Sequence, residues 1–422
     1  MAQATSPQPS PVGALAQLRA ANPTVRMLLG CDLGFNLGFY MLVPFLAGHL
    51  TSLAVSGWLV GLILGLRNLS QQGLYLVGGT LADRGEYRSL IVLGCLARSA
   101  AFALFGLSQS VPALAVASVL TGGAAALFTP AMKAYLSGLQ REERPAAFAL
   151  SAMLSQAGAL LGPLLGMGVL GSDFRRLAFT ASALFLLWAV LLRRYLPEQR
   201  GTEAGTREPV WRGWREVLAH RDFVIFAVAM AGYAVLFNQL YLALPLTLES
   251  ARQGARGVGL VFILSGVLMV LLQVRVTAFC RARWTAGSAI VRGLGLMGVA
   301  FLPLAVLAAS GPRPPSLVTA AVLTTTAVLT LGMMVAFPFS MDMISQLAGE
   351  RRLGMYYGVY YLAAGLGAAL GNLALGHLLE RGGVTPWLVL TGVGLTSSTM
   401  VAALGARGRL VPGTVAKREQ RA

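Results

Sequence analysis

Charge is scarce in this chain. Only 12% of its 422 residues are Asp, Glu, Lys or Arg, against 56% hydrophobic, and the mean hydropathy is +0.69. So little polar surface cannot solvate a water-soluble globule of this length. Acids are the rarer charge, with 16 Asp and Glu facing 33 Lys and Arg, a net charge of +17. A surplus of that size fits nucleic-acid binding, but the basic residues fall in short loops and tails between apolar runs rather than on one soluble face. Orientation in a membrane explains them better, and no nucleic-acid partner is expected. Cys31, Cys95 and Cys280 lie in apolar segments with no CxxC or Cys/His spacing, so neither a disulfide framework nor a metal site is indicated and no cofactor is expected. His49, His220 and His377 stand near the ends of apolar runs without partners at ligand spacing. With no GxSxG elbow, Walker lysine or HExxH, an enzyme or ATP-driven reading finds no support.

What fills the chain is apolar sequence. Twelve runs, near 27–49, 57–82, 89–109, 112–138, 146–171, 176–196, 222–249, 257–280, 285–310, 317–347, 354–380 and 384–406, are long enough to cross a bilayer. In lipid such a run satisfies its backbone only as a helix, so the expected class is an all-α, multi-pass membrane protein. An even number of spans puts both chain ends on one side. Of the 33 basic residues, 22 lie in the tails and even-numbered loops and 6 in the odd-numbered loops, which places both ends in the cytoplasm of a cell (inner) membrane protein. No cleavable leader is expected, because the first residues are rich in Ala, Pro, Gln and Ser.

The one long polar, charge-mixed segment divides the spans six and six. The expected organisation is a disordered cytoplasmic tail over 1–24, a bundle over 25–196, a cytoplasmic linker over 197–221, a bundle over 222–406 and a second tail over 407–422. A weak repeat supports it: at an offset of 208 residues, Pro130, Ser137, Leu139, Glu142 and Arg144 meet Pro338, Ser345, Leu347, Glu350 and Arg352. Two pseudo-symmetric six-helix bundles with a cargo site between them, working by alternating access, follow from that repeat. A small-molecule substrate, protons and membrane lipids are the expected partners, and a monomer is expected.

Asp32 is the most chemically loaded residue. A carboxylate inside the first span costs about 2 to 3 kcal/mol even on lenient insertion scales, so it should face protein or a wet cavity. Asp32, Asn36 and Tyr40 recur at i, i+4 and i+8, laying a polar stripe on one face that should line the central cavity, with Asn36 and Tyr40 against the cargo. Lys133, at similar depth in the fourth span, can pair with Asp32, and its movement between states would switch the carboxyl between loaded and empty. A structural bridge, or a lysine reaching for headgroups, is the plainer alternative. Asp342 in the tenth span is the second proton candidate. Arg67 and Arg98 lie deeper and need acceptors; Arg67 serves either coupling, cargo contact or a hydrogen-bond hub. Tyr233, Phe237, Asn238 and Tyr241, with Phe337, Met341, Tyr357, Tyr360 and Tyr361, mark either a cavity for amphipathic cargo or ordinary aromatic packing.

Two further patterns concern conformation. In the hairpin Gly79 to Arg84, Gly79 permits close helix approach, Asp83 can cap the third span, and Arg84 and Arg88 can pair across the cytoplasmic face. A charged turn that merely stops the loop from crossing explains it equally simply. In the fifth span Gly158, Gly162, Pro163 and Gly166 put small residues on nearly one face and remove one backbone donor, so close packing and a bend follow.

These stretches, with Gly65-Leu66-Arg67, Gln71-Gln72-Gly73, Ala231-Gly232-Tyr233 and Leu244-Pro245, resemble the major facilitator superfamily and within it the drug/proton antiporter group. The resemblance runs over nearly all twelve spans. It implies proton-coupled, multidrug-type efflux, and it implies that the Gly-Pro pattern bears on the direction of transport. The chain departs from the group at Glu86 and Tyr87 after the hairpin, and at Thr129 and Met132, where an acid and an arginine are usual. Export of an endogenous lipid, peptide or metabolite, uptake of a solute, and a non-transporting receptor or scaffold are the other readings.

Overall fold

The structure is a computed structural model that describes residues 22–84, 86–137, 144–170, 173–198, 210–311, 314–348, 353–408 and 410, in some helical positions for the backbone alone. The expected tails over 1–24 and 407–422 fall largely outside the described residues.

Fifteen helices are described. They are α1 (Pro23–Ser52), α2 (Gly57–Arg84), α3 (Tyr87–Leu107), α4 (Val111–Ser137), α5 (Arg144–Leu170), α6 (Phe174–Tyr195), α7 (Val210–Ala219) and α8 (Arg221–Asn238). After them come α9 (Ala243–Ser250), α10 (Gly254–Arg283), α11 (Ala286–Val299), α12 (Leu302–Ala309), α13 (Pro315–Ala348), α14 (Leu353–Arg381) and α15 (Thr385–Ala406). Local chemistry sets the starts: Asn22 Oδ1 accepts from Thr24 N at 3.1 Å ahead of α1, and Asp173 Oδ1 from Arg175 N at 2.9 Å ahead of α6. Ten segments among the described residues are long and apolar enough to span a membrane. The other two expected spans are helices as well: in α2 Arg67, Gln71 and Gln72 dilute the apolar content, and α5 runs continuously over Arg144–Leu170, with Met153–Val169 its apolar stretch among the described residues.

Two expected single spans are broken. The seventh is α8 and α9, joined by a turn at Gln239 to Leu242, and the ninth is α11 and α12, joined at Ala300 and Phe301. Pro245 and Pro303 stand just beyond these breaks, where a missing N–H and a fixed φ favour a new helix start. The buried Gln239 amide repairs the first break by donating to Val235 O at 2.7 Å. The linker also departs from expectation, because its second half forms α7 with Val217 buried and Leu218 exposed, packed against α14.

Helix packing forms two groups. In the first, α1 packs on α5 and α6, and α3 on α4 and α6, while α4 also holds α2. In the second, α11 packs on α13 and α15, and α8 on α14 and α15. The groups meet mainly along α2 with α14 and α5 with α10. The α2–α14 seam is tight near the start of α2. There a Cβ on Gly61 would strike the Asn372 carbonyl and one on Gly376 the Gly57 carbonyl. The Glu380 carboxylate accepts the Gly57 N–H, capping α2 from the other bundle.

Candidate functional site

Two adjoining cavities occupy the interior. The first, between the bundles and about 390 Å³, is walled by α1, α2, α5, α8, α10, α13 and α14. Tyr40, Arg67, Tyr233, Asn238, Tyr241, Phe337 and Tyr360 all line it. Tyr233 stacks with Phe237 at 6.3 Å and with Phe337 at 6.1 Å between ring centres, and Tyr241 meets Phe262 at 5.2 Å. Such walls suit flat or amphipathic molecules through ring contact. Residues the sequence reading did not single out for this wall, Phe39, Gln156, Phe262 and Gln273, also face it. Gln156 and Gln273 carried a usable signal, as amides inside apolar helices.

Among the described residues, Arg67 supplies the sole formal charge on this lining. It is 4% exposed, donating from Nη2 to Asn68 Oδ1 at 2.6 Å and from Nη1 to Gln71 Oε1 at 3.3 Å. Asn68 in turn donates to Asn238 Oδ1 of the opposite bundle, and Asn238 donates to Ala234 O at 2.8 Å. A hydrogen-bond relay therefore crosses the bundle interface beside the cavity. Tyr357, by contrast, lines neither cavity. Its hydroxyl donates to Met341 O at 3.2 Å, because α14 lies there against α13.

The second cavity, about 430 Å³, lies within the first bundle and holds Asp32, Asn36, Arg98 and Lys133. Asn36 thus belongs to the acid's cavity rather than to the central one. Asp32 is 6% exposed and surrounded by donors: Ser151 Oγ and Ser155 Oγ give hydrogen bonds to Oδ2 at 2.6 and 2.8 Å, and Asn36 Nδ2 to Oδ1 at 3.2 Å. Lys133 is exposed at the same cavity and forms no ion pair with Asp32 within 4.0 Å. Phe39, Tyr40 and Gln71 border both cavities, so the acid's chamber opens beside the aromatic one. Asp342 is exposed on α13, accepts from Gln346 Nε2 at 2.9 Å and lines neither of these two cavities.

The conformational residues divide. The α5 glycines face α1 inside one bundle: a Cβ on Gly158 would come within 2.7 Å of Leu33 O, one on Gly162 within 2.7 Å of Tyr40 Cβ, and one on Gly166 would strike Met41 O. This contact holds Ser151 and Ser155 against Asp32, while Pro163 lies within the same helix. Gly162→Leu should therefore cost about 1–3 kcal/mol through overpacking, read as a lower unfolding midpoint in detergent. Arg88 forms an ion pair with Glu86 at 3.1 Å, bonds to Glu198 and donates to Leu196 O at 3.4 Å, tying α3 to the end of α6. The side chains of Asp83 and Arg84 and the packing around Gly79 lie outside what is described, although the backbone of all three belongs to α2.

Known proteins share this arrangement. The family model described as Major Facilitator Superfamily matches residues 28–372. An uncharacterized MFS-type transporter of Mycobacterium tuberculosis is 37% identical over 372 residues, covering 87% of this chain and 89% of the relative. Multidrug resistance protein MdtH of Salmonella typhimurium, which the sequence motifs suggest as the nearest relative, is more distant than that, at 29% over 367 residues, 85% of this chain and 88% of its own. Among solved structures, a peptide transporter POT in complex with sulfate superposes with TM-score 0.76 at 15% identity, over 95% of this chain and all of that one. That likeness speaks to fold alone. Matched over most of its length by the family model and built as two packed helix groups around a shared cavity, the chain belongs to the Major Facilitator Superfamily of secondary transporters.

Proposed function

We propose that the chain exports small amphipathic compounds in exchange for protons, with Asp32 as the proton carrier and residues 25–196 and 222–406 as the two bodies that rock about the cargo. The observation that carries this reading is the placement of a buried carboxyl one chamber away from an aromatic cavity. Asp32 adjoins that cavity through Phe39, Tyr40 and Gln71. A cavity-lining acid inside a membrane is a natural proton site, and one proton crossing 100 mV supplies about 2.3 kcal/mol. Lys133 is the group whose approach or withdrawal sets the load on Asp32, and Asp342 is the reserve carrier. The relation to MdtH supports multidrug-type cargo. Both chain ends lie in the cytoplasm under this reading, following the basic residues, and the working unit is a monomer.

Purified protein in liposomes tests it. An imposed pH difference should drive dyes or antibiotics against their own gradient, and the flux should collapse with an ionophore. A failure to move any of a broad panel of compounds under that gradient overturns the reading.

A further inference from the structure

Arg98, on α3, is 1% exposed. Its guanidinium carbon lies 4.5 Å from the ring centre of Phe35, 5.0 Å from Phe39, 5.6 Å from Phe185 and 5.9 Å from Phe102. Ring faces attract a cation but accept no strong hydrogen bond. Nε and Nη1 have no hydrogen-bond partner, and no carboxylate forms an ion pair with this residue within 4.0 Å among the described residues. Buried donors and charges are nearly always matched, so this one points to a partner that is absent from the chain itself.

The surroundings fix the sign of that partner. Arg98 lines the same cavity as Lys133 and Asp32. Asp32, the single acid on that lining among the described residues, forms no ion pair with Arg98 or Lys133 within 4.0 Å, and the two cations outnumber it. Arg67 adds a further positive charge on the wall of the adjoining cavity.

We propose that the Arg98–Lys133 cavity binds a monovalent anionic group, such as a carboxylate, carried by cargo whose apolar body passes Phe39 and Tyr40 into the central cavity. A carboxylate offers Arg98 two acceptor oxygens, which suits a guanidinium fork. Cationic amphiphiles, in contrast, meet positive charge in both chambers. The inference rests on the transport reading only in taking the ligand as cargo.

The test is binding to the full-length protein in detergent at one pH, with no gradient, using three compounds that share a naphthyl body and carry a carboxylate, a carboxamide or an ammonium. The carboxylate should bind about tenfold tighter than the amide and the ammonium weakest, with Arg98→Gln bringing carboxylate and amide within about twofold. Lys133→Gln alters an exposed side chain and should weaken the carboxylate about threefold, which keeps the test decisive if Arg98→Gln does not fold. Titrating potassium chloride into a low-salt buffer separates the sources: an Arg98- or Lys133-dependent rise in thermal stability with chloride alone, without discrimination among the three compounds, assigns the site to a free inorganic anion. Equal binding of amide, ammonium and carboxylate with no chloride effect overturns the proposal, as does carboxylate preference that survives both substitutions. Because no proton gradient enters, loss of the Asp32 reading would leave these outcomes untouched.

Discussion

With Asp32→Asn, pH-driven export in liposomes should fall on the order of 100-fold, the scale on which a positioned proton-transfer group contributes. Asparagine keeps the size of the side chain and can still accept from Ser151 and Ser155, but it cannot carry a proton at ordinary pH. Cargo affinity without a gradient should therefore stay within roughly threefold, under about 0.7 kcal/mol. That split between flux and binding separates a proton carrier from a packing residue. A structural carboxylate would instead lower the unfolding midpoint and weaken binding and flux together. Lys133→Ala should reduce flux as well, by a smaller factor, since the cation biases the acid without itself moving the proton.

Joining the bundles should stop the cycle. Asn68 on α2 and Asn238 on α8 meet directly across the interface beside the central cavity. Cysteines at these two positions, linked by a short reducible thiol reagent, should cut transport by about tenfold or more, with recovery on reduction, because alternating access needs the bundles to move as separate bodies. Asn68→Cys alone removes the bond to Asn238 and the one accepted from the Arg67 guanidinium, about 2–4 kcal/mol, and Asn238→Cys removes two neutral bonds, about 1–3 kcal/mol, so each unlinked variant is the reference for the linked pair. Full activity in the linked protein would mean that this interface does not open during transport. The native Cys31, Cys95 and Cys280 are buried, which favours selective linking at the introduced pair.

The acid's side of the site was legible in the sequence because helical spacing alone places Asp32, Asn36 and Tyr40 on one face. Ser151 and Ser155 were not. They lie 119 and 123 positions away, and a hydroxyl in an apolar helix usually bonds to its own backbone, so nothing local marked them as partners of a carboxylate. The depth of Arg98 was visible, whereas its cage was not, since Phe35, Phe39, Phe102 and Phe185 converge from three helices. Tyr233, Phe337 and Tyr360 reach one cavity from three helices, whereas Tyr357 turns to the Met341 carbonyl because rotation along α14 carries it off that wall. The broken spans had local causes in Pro245 and Pro303, which a count of apolar residues passes over. In α7 the buried Val217 beside the exposed Leu218 shows an amphipathic turn that bulk polarity of the linker concealed.

Infrared difference spectroscopy of the reconstituted protein reads the proton on Asp32 most directly. Stepping the pH should produce a carbonyl band of a protonated carboxyl that titrates, shifts when cargo is added and is missing from Asp32→Asn. A titrating band that persists unchanged in Asp32→Asn, or the lack of any cargo-sensitive carboxyl band in the native protein, would contradict the assignment.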